Sequence, residues 1–316
     1  MASEHPIQRY QAEITVGTES SGLDLLSAFL QRFDREQTRR AYRNDISHFF
    51  ESEYVLLDDV RRVSFLHVNE YIARLEAAGL KATTIKRRIA ALRGFFDWLL
   101  ALELVERNPV NRQLVRRVRT VRRQDQTIFV LTAQQAEALL AATELSGEAA
   151  IRDRTLMTTM IHCVLRRSEA AAMDVEHIRP LGRYWVLDLP KTKGGADQYV
   201  KVPTHVVHEI EAMKSHYGIT SGPLWRSFSP RSFGKRLTPH SIYRIVKQAA
   251  IRAGLSNSIG AHTLRHSGCT LAIEAGATLQ QVQAHARHKN LETTMVYIHQ
   301  RDRLRDSAAD YIHIKK

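Results

Sequence analysis

Apolar residues return at helical spacing from residue 25 onward. Leu25, Leu26, Phe29, Leu30 and Phe33 form a first stripe, and Ala41, Tyr42, Ile46, Phe49 and Phe50 a second. Val68, Tyr71, Ile72 and Leu75 form a third, closed by Gly79. The fourth runs Ile85, Ile89, Leu92, Phe95, Phe96 and Leu99, opened by Thr83 or Thr84 and stopped before Asn108-Pro109. Residues recurring at i, i+3, i+4 and i+7 lie on one helical face, so the pattern predicts four short amphipathic helices packed as a bundle over 21–110. Residues 1–20 are polar and are expected to be flexible.

The rhythm returns at 132–145, with Thr132 as cap ahead of Ala136, Leu139 and Leu140, and again at 151–165. Over 183–203 it changes. "RYWVLDLPKTKGGADQYVKVP" alternates aromatic and β-branched residues on both sides of a Gly-Gly turn, which predicts a β-hairpin with its tip near Lys193, Gly194 and Gly195. Helices are expected at 204–217, at 239–254 and in three short segments between 262 and 298. The fold class that follows is mainly α in two domains, the second mixed α/β with a small antiparallel sheet.

Composition narrows the function. The chain has 316 residues with 44% hydrophobic and 25% charged residues, as in a soluble globular protein of two ordinary domains. No apolar run is long enough to span a bilayer, and the N-terminal segment lacks a basic-then-apolar signal pattern, so a cytoplasmic location and no membrane are expected. Cys163 and Cys269 stand far apart and give neither a disulfide framework nor zinc spacing. Lys plus Arg number 46 against 33 Asp plus Glu, a net charge of +13. Such an excess favours a polyanion, usually nucleic acid. Arg112, Arg116, Arg117, Arg119, Arg122 and Arg123 crowd the stretch 111–127 between the domains. Two readings stay open there, a solvated linker or a basic linker lying along DNA phosphates.

Histidines suggest metal first. His262 and His266 in "HTLRH" stand at i, i+4, but the Glu of a metalloprotease helix is missing, and no carboxylate cluster flanks His285 and His288. No metal is expected. His262 and Arg265, three apart, share a helix face instead. Arg is a fork-shaped donor suited to phosphate, and His exchanges protons near neutrality. Such a pair alone is too short to separate a site from a basic surface helix.

Four segments taken in order are more specific: "CVLRRSEAAAMDVEHI" (163–178), "KTKGGAD" (191–197), "HTLR" (262–265) and "ARHKNLETTMVYIH" (286–299). Together they resemble the tyrosine recombinase family, the Xer, Cre and phage-integrase group, over nearly the whole chain. The resemblance implies a SAM-like core-binding domain at 21–110 and a catalytic domain at 128–316 with a C-terminal tail at 300–316, in a Xer-like or Cre-like layout with no further arm-binding domain. It implies Tyr297 as nucleophile, Arg166 and Arg265 as phosphate-binding arginines, and His262 as partner of Arg265. Lys193 would be the mobile proton donor, with Lys191 and Lys201 as fallbacks. His288 takes the later His or Trp position, and Glu169 braces the site. Arg167 competes with Arg166, and the spacing to Glu169 favours Arg166. The chain has Ala286-Arg287-His288 where the family usually has Leu-Gly-His, a departure expected to alter the local turn and add charge.

The chemistry fits those residue types. Two fixed guanidiniums can hold the extra charge of a five-coordinate phosphorus without metal or cofactor. A tyrosine with a pKa of about 10 needs cationic neighbours and a base to attack as phenolate. On a helical projection Leu291, Met295 and Ile298 form one stripe and Tyr297 lies about 120° from its centre, off the packing face. Tyr311, near the C-terminus, lacks helpers at the right distance. The implied activity is site-specific recombination through a covalent 3′-phosphotyrosine. The implied partner is double-stranded DNA carrying an inverted-repeat site, with a homodimer on one site, a homotetramer in the synapse, and room for a partner recombinase. A catalytically inactive DNA-binding regulator of the same fold, a type IB topoisomerase and a metal-dependent hydrolase are the competing classes.

Overall fold

The computed structural model describes residues 23–119, 129–189 and 198–288. The chain divides into two compact units, Met1–Val121 and Arg122–Lys316.

The first unit contains five helices among the described residues: α1 (Leu25–Leu30), α2 (Glu36–Phe50), α3 (Leu57–Arg61), α4 (Phe65–Ala77) and α5 (Ala82–Ala101). Each predicted stripe turns inward. Phe29, Ile46, Ile72, Phe95 and Phe96 are at most 1% exposed. Rings meet edge-on across the core, as between Phe29 and Phe95 at 5.3 Å and Phe49 and Tyr71 at 5.1 Å, the geometry that aromatic quadrupoles favour. The helix α3 was not predicted. It is a single turn with one buried anchor, Val60, too short to show a period. Residues 111–118 do not leave the bundle as free linker. Val115 is buried, Asn69 binds both Leu114 O (3.3 Å) and Arg116 N (2.8 Å), and Arg116 pairs with Glu76 at 3.1 Å.

The second unit opens with α6 (Ala133–Ala141), capped by Thr132, whose hydroxyl accepts from Gln135 N at 3.2 Å. A 3-10 stretch, Ala142–Ala149, replaces the predicted continuous helix to 145. Then come α7 (Ala150–His162), α8 (Arg167–Ala171), and strands β1 (Ile178–Leu181), β2 (Tyr184–Leu189) and β3 (Gln198–Val202). The sheet is antiparallel in the order β1-β2-β3, and the predicted hairpin pairs Trp185 with Val202 and Leu189 with Gln198. The hairpin tip, with Lys191 and Lys193, lies outside the described residues. Strand β1 was missed because four residues, one of them Pro180, hold too little alternation to read; a proline is tolerated on an edge strand. Four helices follow: α9 (Thr204–Tyr217), α10 (Pro239–Arg252), α11 (Ala261–Glu274) and α12 (Leu279–Ala286). One core joins α7, the sheet and α9 to α11, and a smaller one of Val164, Cys269, Ile273, Val282 and Ala286 lies between α11 and α12. No helix among the described residues is long and apolar enough to cross a membrane.

Candidate active site

Arg265 is the keystone of the second unit's basic cluster. It sits on α11, is 2% exposed, and its guanidinium donates Nη1 to Val164 O and Nη2 to Ala286 O. Two carbonyls from different segments fix its plane. Val164 lies in the turn after α7 with φ 50°, a conformation that costs a β-branched residue of order 1–3 kcal/mol. That turn aims the Val164 carbonyl at the guanidinium.

Arg166 and Glu169 bracket the start of α8. The Glu169 carboxylate accepts the Arg166 backbone N–H at 2.7 Å through Oε2 and the Arg166 guanidinium at 2.6 Å through Oε1. Glu169 is nearly buried, its side chain 7% exposed, whereas that of Arg166 is 41% exposed. Burial raises the carboxyl, but Arg287 and the contacts from Arg166 outweigh it, so Glu169 stays below the usual range and ionised. Arg167 is turned elsewhere, its guanidinium 5.8 Å from the Tyr243 ring.

Arg287 was the residue without a role. It caps α12 in the left-handed conformation, φ 56° and ψ 42°, at the position glycine favours. The turn is a left-handed cap, closed by Arg287 N to Ala284 O (3.1 Å) and His288 N to Gln283 O (3.1 Å). An L-residue there costs about 1 kcal/mol. The added charge is buried against Glu169 Oε2 at 2.9 Å.

The histidines divide. His288 is pushed down to about 4 by burial first, then by Arg265, Arg166, Arg287 and His262. His262, exposed at the rim of α11, is lowered by loss of hydration, then by Arg265, Arg166 and Arg167. Both are therefore neutral at pH 7. His262 and His266 stack edge-on at 4.4 Å. His285 bonds the His162 carbonyl at 2.8 Å, and His162 faces His205. Among the described residues no group of three or more His, Cys, Asp or Glu is placed to hold a metal. Burial pushes the Cys163 thiol up to about 12, with Arg287 opposing, so it remains a thiol and no nucleophile.

Arg166 and Arg287 therefore share one carboxylate, Glu169, and Arg265 and Arg287 share the Val164 carbonyl, with two neutral imidazoles nearby. Such a cluster carries excess positive charge and suits an anion. Of the residues singled out from the sequence, Arg166, Glu169, His262, Arg265 and His288 are drawn together here. Lys201 lies on β3, its ammonium 4.8 Å from the Tyr184 ring centre. Tyr297, His299, Tyr311, Arg122 and Arg123 lie outside the described residues. Arg112, Arg116 and Arg117 line a cleft of about 610 Å³ in the first unit with Lys86 and Arg93, and Arg119 is exposed nearby in sequence. Sequence reasoning missed the Val164 carbonyl and the anchoring by Arg287. Only the Arg in a Gly position signalled the second.

The depressed histidines predict acid sensitivity. Unfolded, His162, His262, His285 and His288 have a pKa near 6.5; folded, burial lowers all four. As pH falls below 6.5 the unfolded chain takes up protons that the folded chain refuses, so stability declines toward pH 5. Urea midpoints measured from pH 7.5 to 5 should fall. A bound phosphate, by favouring the protonated imidazoles at the site, should raise the His288 pKa, readable by NMR titration.

The catalytic family model, described as "Phage integrase family", matches residues 130–303, and "Phage integrase, N-terminal SAM-like domain" matches 25–102. Tyrosine recombinase XerC of Escherichia coli O157:H7 is 28% identical over 236 residues, covering 73% of this chain and 74% of that protein. Among solved structures, the XerH site-specific recombinase bound to palindromic difH substrate in a post-cleavage complex superposes with a TM-score of 0.69 at 19% identity, over 87% of this chain and 79% of that one. A lambda integrase dimer bound to a COC′ core site gives 0.64 at 18% identity, over 98% and 79%. With both of its units matched by the models and the arginine–histidine cluster inside the larger match, the chain belongs to the phage integrase family.

Proposed function

We propose that this chain is a tyrosine-type site-specific DNA recombinase acting through Tyr297. One observation carries the reading: Arg166 and Arg265, with neutral His262 and His288, form a single cation-rich cluster, inside a family match that extends past Tyr297.

In the reaction, the Tyr297 phenol oxygen attacks the scissile phosphorus, and its proton passes to neutral His262. The five-coordinate intermediate carries an additional negative charge, held by Arg166 and Arg265 with His288 donating. The P–O5′ bond breaks, Lys193 gives a proton to the departing 5′ oxygen, and a 3′-phosphotyrosine remains. The 5′-hydroxyl of a partner strand then attacks that ester, expelling the phenol, and rejoins the DNA. The bond energy is conserved in the ester, so the step needs no nucleotide. Glu169 braces Arg166. The arginines of 111–127 and the cleft with Lys86 and Arg93 supply phosphate contacts that hold the front domain, 21–110, on the duplex. A homodimer on an inverted-repeat site and a homotetramer in the synapse complete the proposal, in the cytoplasm, with a partner recombinase as one variation.

The test uses duplexes selected by their binding to the protein, placed as two copies on one plasmid. Recombinant circles dependent on both copies are expected, with EDTA present. Relaxation of plasmids that lack the site indicates a topoisomerase instead, and binding without strand breakage indicates a regulator.

A further inference from the structure

The cluster contains a third cation, buried and paired with the cluster's carboxylate. The Arg287 side chain is only 6% exposed; both of its Nη groups donate to protein oxygens, while its buried Nε has no hydrogen-bond partner among the described residues. Nη2 donates to Glu169 Oε2 (2.9 Å) and Val164 O (3.1 Å), and Nη1 to His285 O (2.8 Å) and, more weakly, to Cys163 O (3.4 Å). A long basic side chain at a helix end ordinarily reaches out to water. This one is folded inward, from a left-handed backbone position that glycine would occupy without strain.

Its partners explain the placement. Val164 O is the same carbonyl that Arg265 holds. Glu169 Oε2 is the same oxygen that accepts the Arg166 backbone N–H, and Oε1 holds the Arg166 guanidinium. Arg287 thus touches the supports of both phosphate-binding arginines. Charge points the same way. Glu169 and Arg166 alone make a closed, neutral pair, in which the carboxylate competes with a phosphate for the guanidinium. A second guanidinium on that carboxylate leaves the trio positive and weakens the carboxylate's hold on Arg166.

We infer that Arg287 is a positioning residue of this recombinase: it braces Glu169 and the Val164 turn from behind, and by neutralising Glu169 it leaves the charge of Arg166 available to the scissile phosphate. The inference rests on the recombinase reading. Arg287 is not a catalytic residue, because it acts through Glu169 and Val164.

Four variants test it: Arg287→Gly, which relieves the backbone and removes the charge; Arg287→Met, which keeps bulk without charge; Glu169→Gln; and Arg287→Gly with Glu169→Gln. Two readouts are taken, the single-turnover rate of covalent adduct formation on a nicked duplex and the rise of Tm with added inorganic phosphate, which needs no chemistry. Arg287→Gly and Arg287→Met should each form adduct about 10- to 100-fold more slowly, the scale seen when a residue that orients a direct ligand is lost. Both should respond less to phosphate. Adding Glu169→Gln to Arg287→Gly should recover part of the rate, because the unbalanced carboxylate is gone, making the pair non-additive. Arg287→Gly at the wild-type rate, full activity in Arg287→Met, or strict additivity would overturn the inference. If the wild-type protein forms no adduct, the recombinase reading fails, and the phosphate response still decides whether Arg287 governs the anion site. Should Arg287→Gly not fold, Arg287→Met carries both measurements.

Discussion

Replacing Arg265 by lysine is expected to slow single-turnover strand cleavage by about a thousandfold, the upper range for loss of one transition-state donor. The substitution keeps a cation in name only. The guanidinium bridges Val164 O and Ala286 O at once, and its planar fork can do so while facing a third group. A lysine ammonium is a single point on a flexible stem. It would release at least one of the two carbonyls and would stand wherever the other pulled it. Protonation is the second loss. Burial, then Arg166 and Arg287, depress Arg265 from the usual guanidinium range to about 10, which still leaves it charged at pH 7 to 8. A lysine starts about two units lower and meets the same burial and the same neighbours, so it loses its proton much closer to the assay pH. Cleavage by Arg265→Lys should therefore fall further as pH rises from 6.5 to 8.5, while DNA binding, spread over many phosphate contacts, changes little. Adduct rates across that pH range, beside a binding titration at fixed salt, check both points.

Gly268→Ala has the largest expected effect on stability. Gly268 lies three residues after Arg265 on α11, where the helix meets α7. A Cβ there would stand 2.2 Å from the Ile161 carbonyl oxygen, 3.2 Å from its carbon and 3.4 Å from Val164 Cγ2. The nearest obstacle is backbone, so the helices must move apart. Overpacking of this kind costs about 3 kcal/mol or more, against which alanine's better helix propensity returns about 1 kcal/mol. For a unit of this size a Tm lower by about 5–10 °C is expected by calorimetry. Because Val164 and Arg265 adjoin the contact, cleavage should fall as well. Gly94→Ala is the matching control. It lies in α5, with nothing within 4 Å of the added Cβ and no left-handed backbone, and should leave Tm unchanged or raise it.

These two sites also mark where sequence reading stops. The stripes of α2, α4 and α5 were legible because burial on one side of a helix writes a 3.6-residue period into the chain. The β2–β3 hairpin was legible from its alternation. His262 with Arg265 and Arg166 with Glu169 were legible because three-residue spacing places side chains together within one turn. Contacts between distant segments left no such mark. Nothing local to Gly268 says that Ile161 O is beside it. Nothing near Val164 says that its carbonyl serves two guanidiniums from 101 and 123 residues away. Arg287 gave a partial signal, an arginine where glycine is usual, yet the charge alone did not say whether it faced water or Glu169. The short α3 and strand β1 escaped because five and four residues hold too little period to read. The bundle-to-linker transition was placed at 111 from arginine content, whereas Val115 and Asn69 hold 111–118 against the first unit.

The measurement closest to the central claim is covalent capture. A nicked duplex carrying a selected binding site is incubated with the protein and EDTA, so that the 5′ fragment diffuses away and the ester is trapped. The wild-type protein should become joined to the 3′ phosphate, protease digestion should place the DNA on the peptide containing Tyr297, and Tyr297→Phe should bind the site without forming the adduct. An adduct formed by Tyr297→Phe, or one mapped to any other tyrosine, would contradict the account.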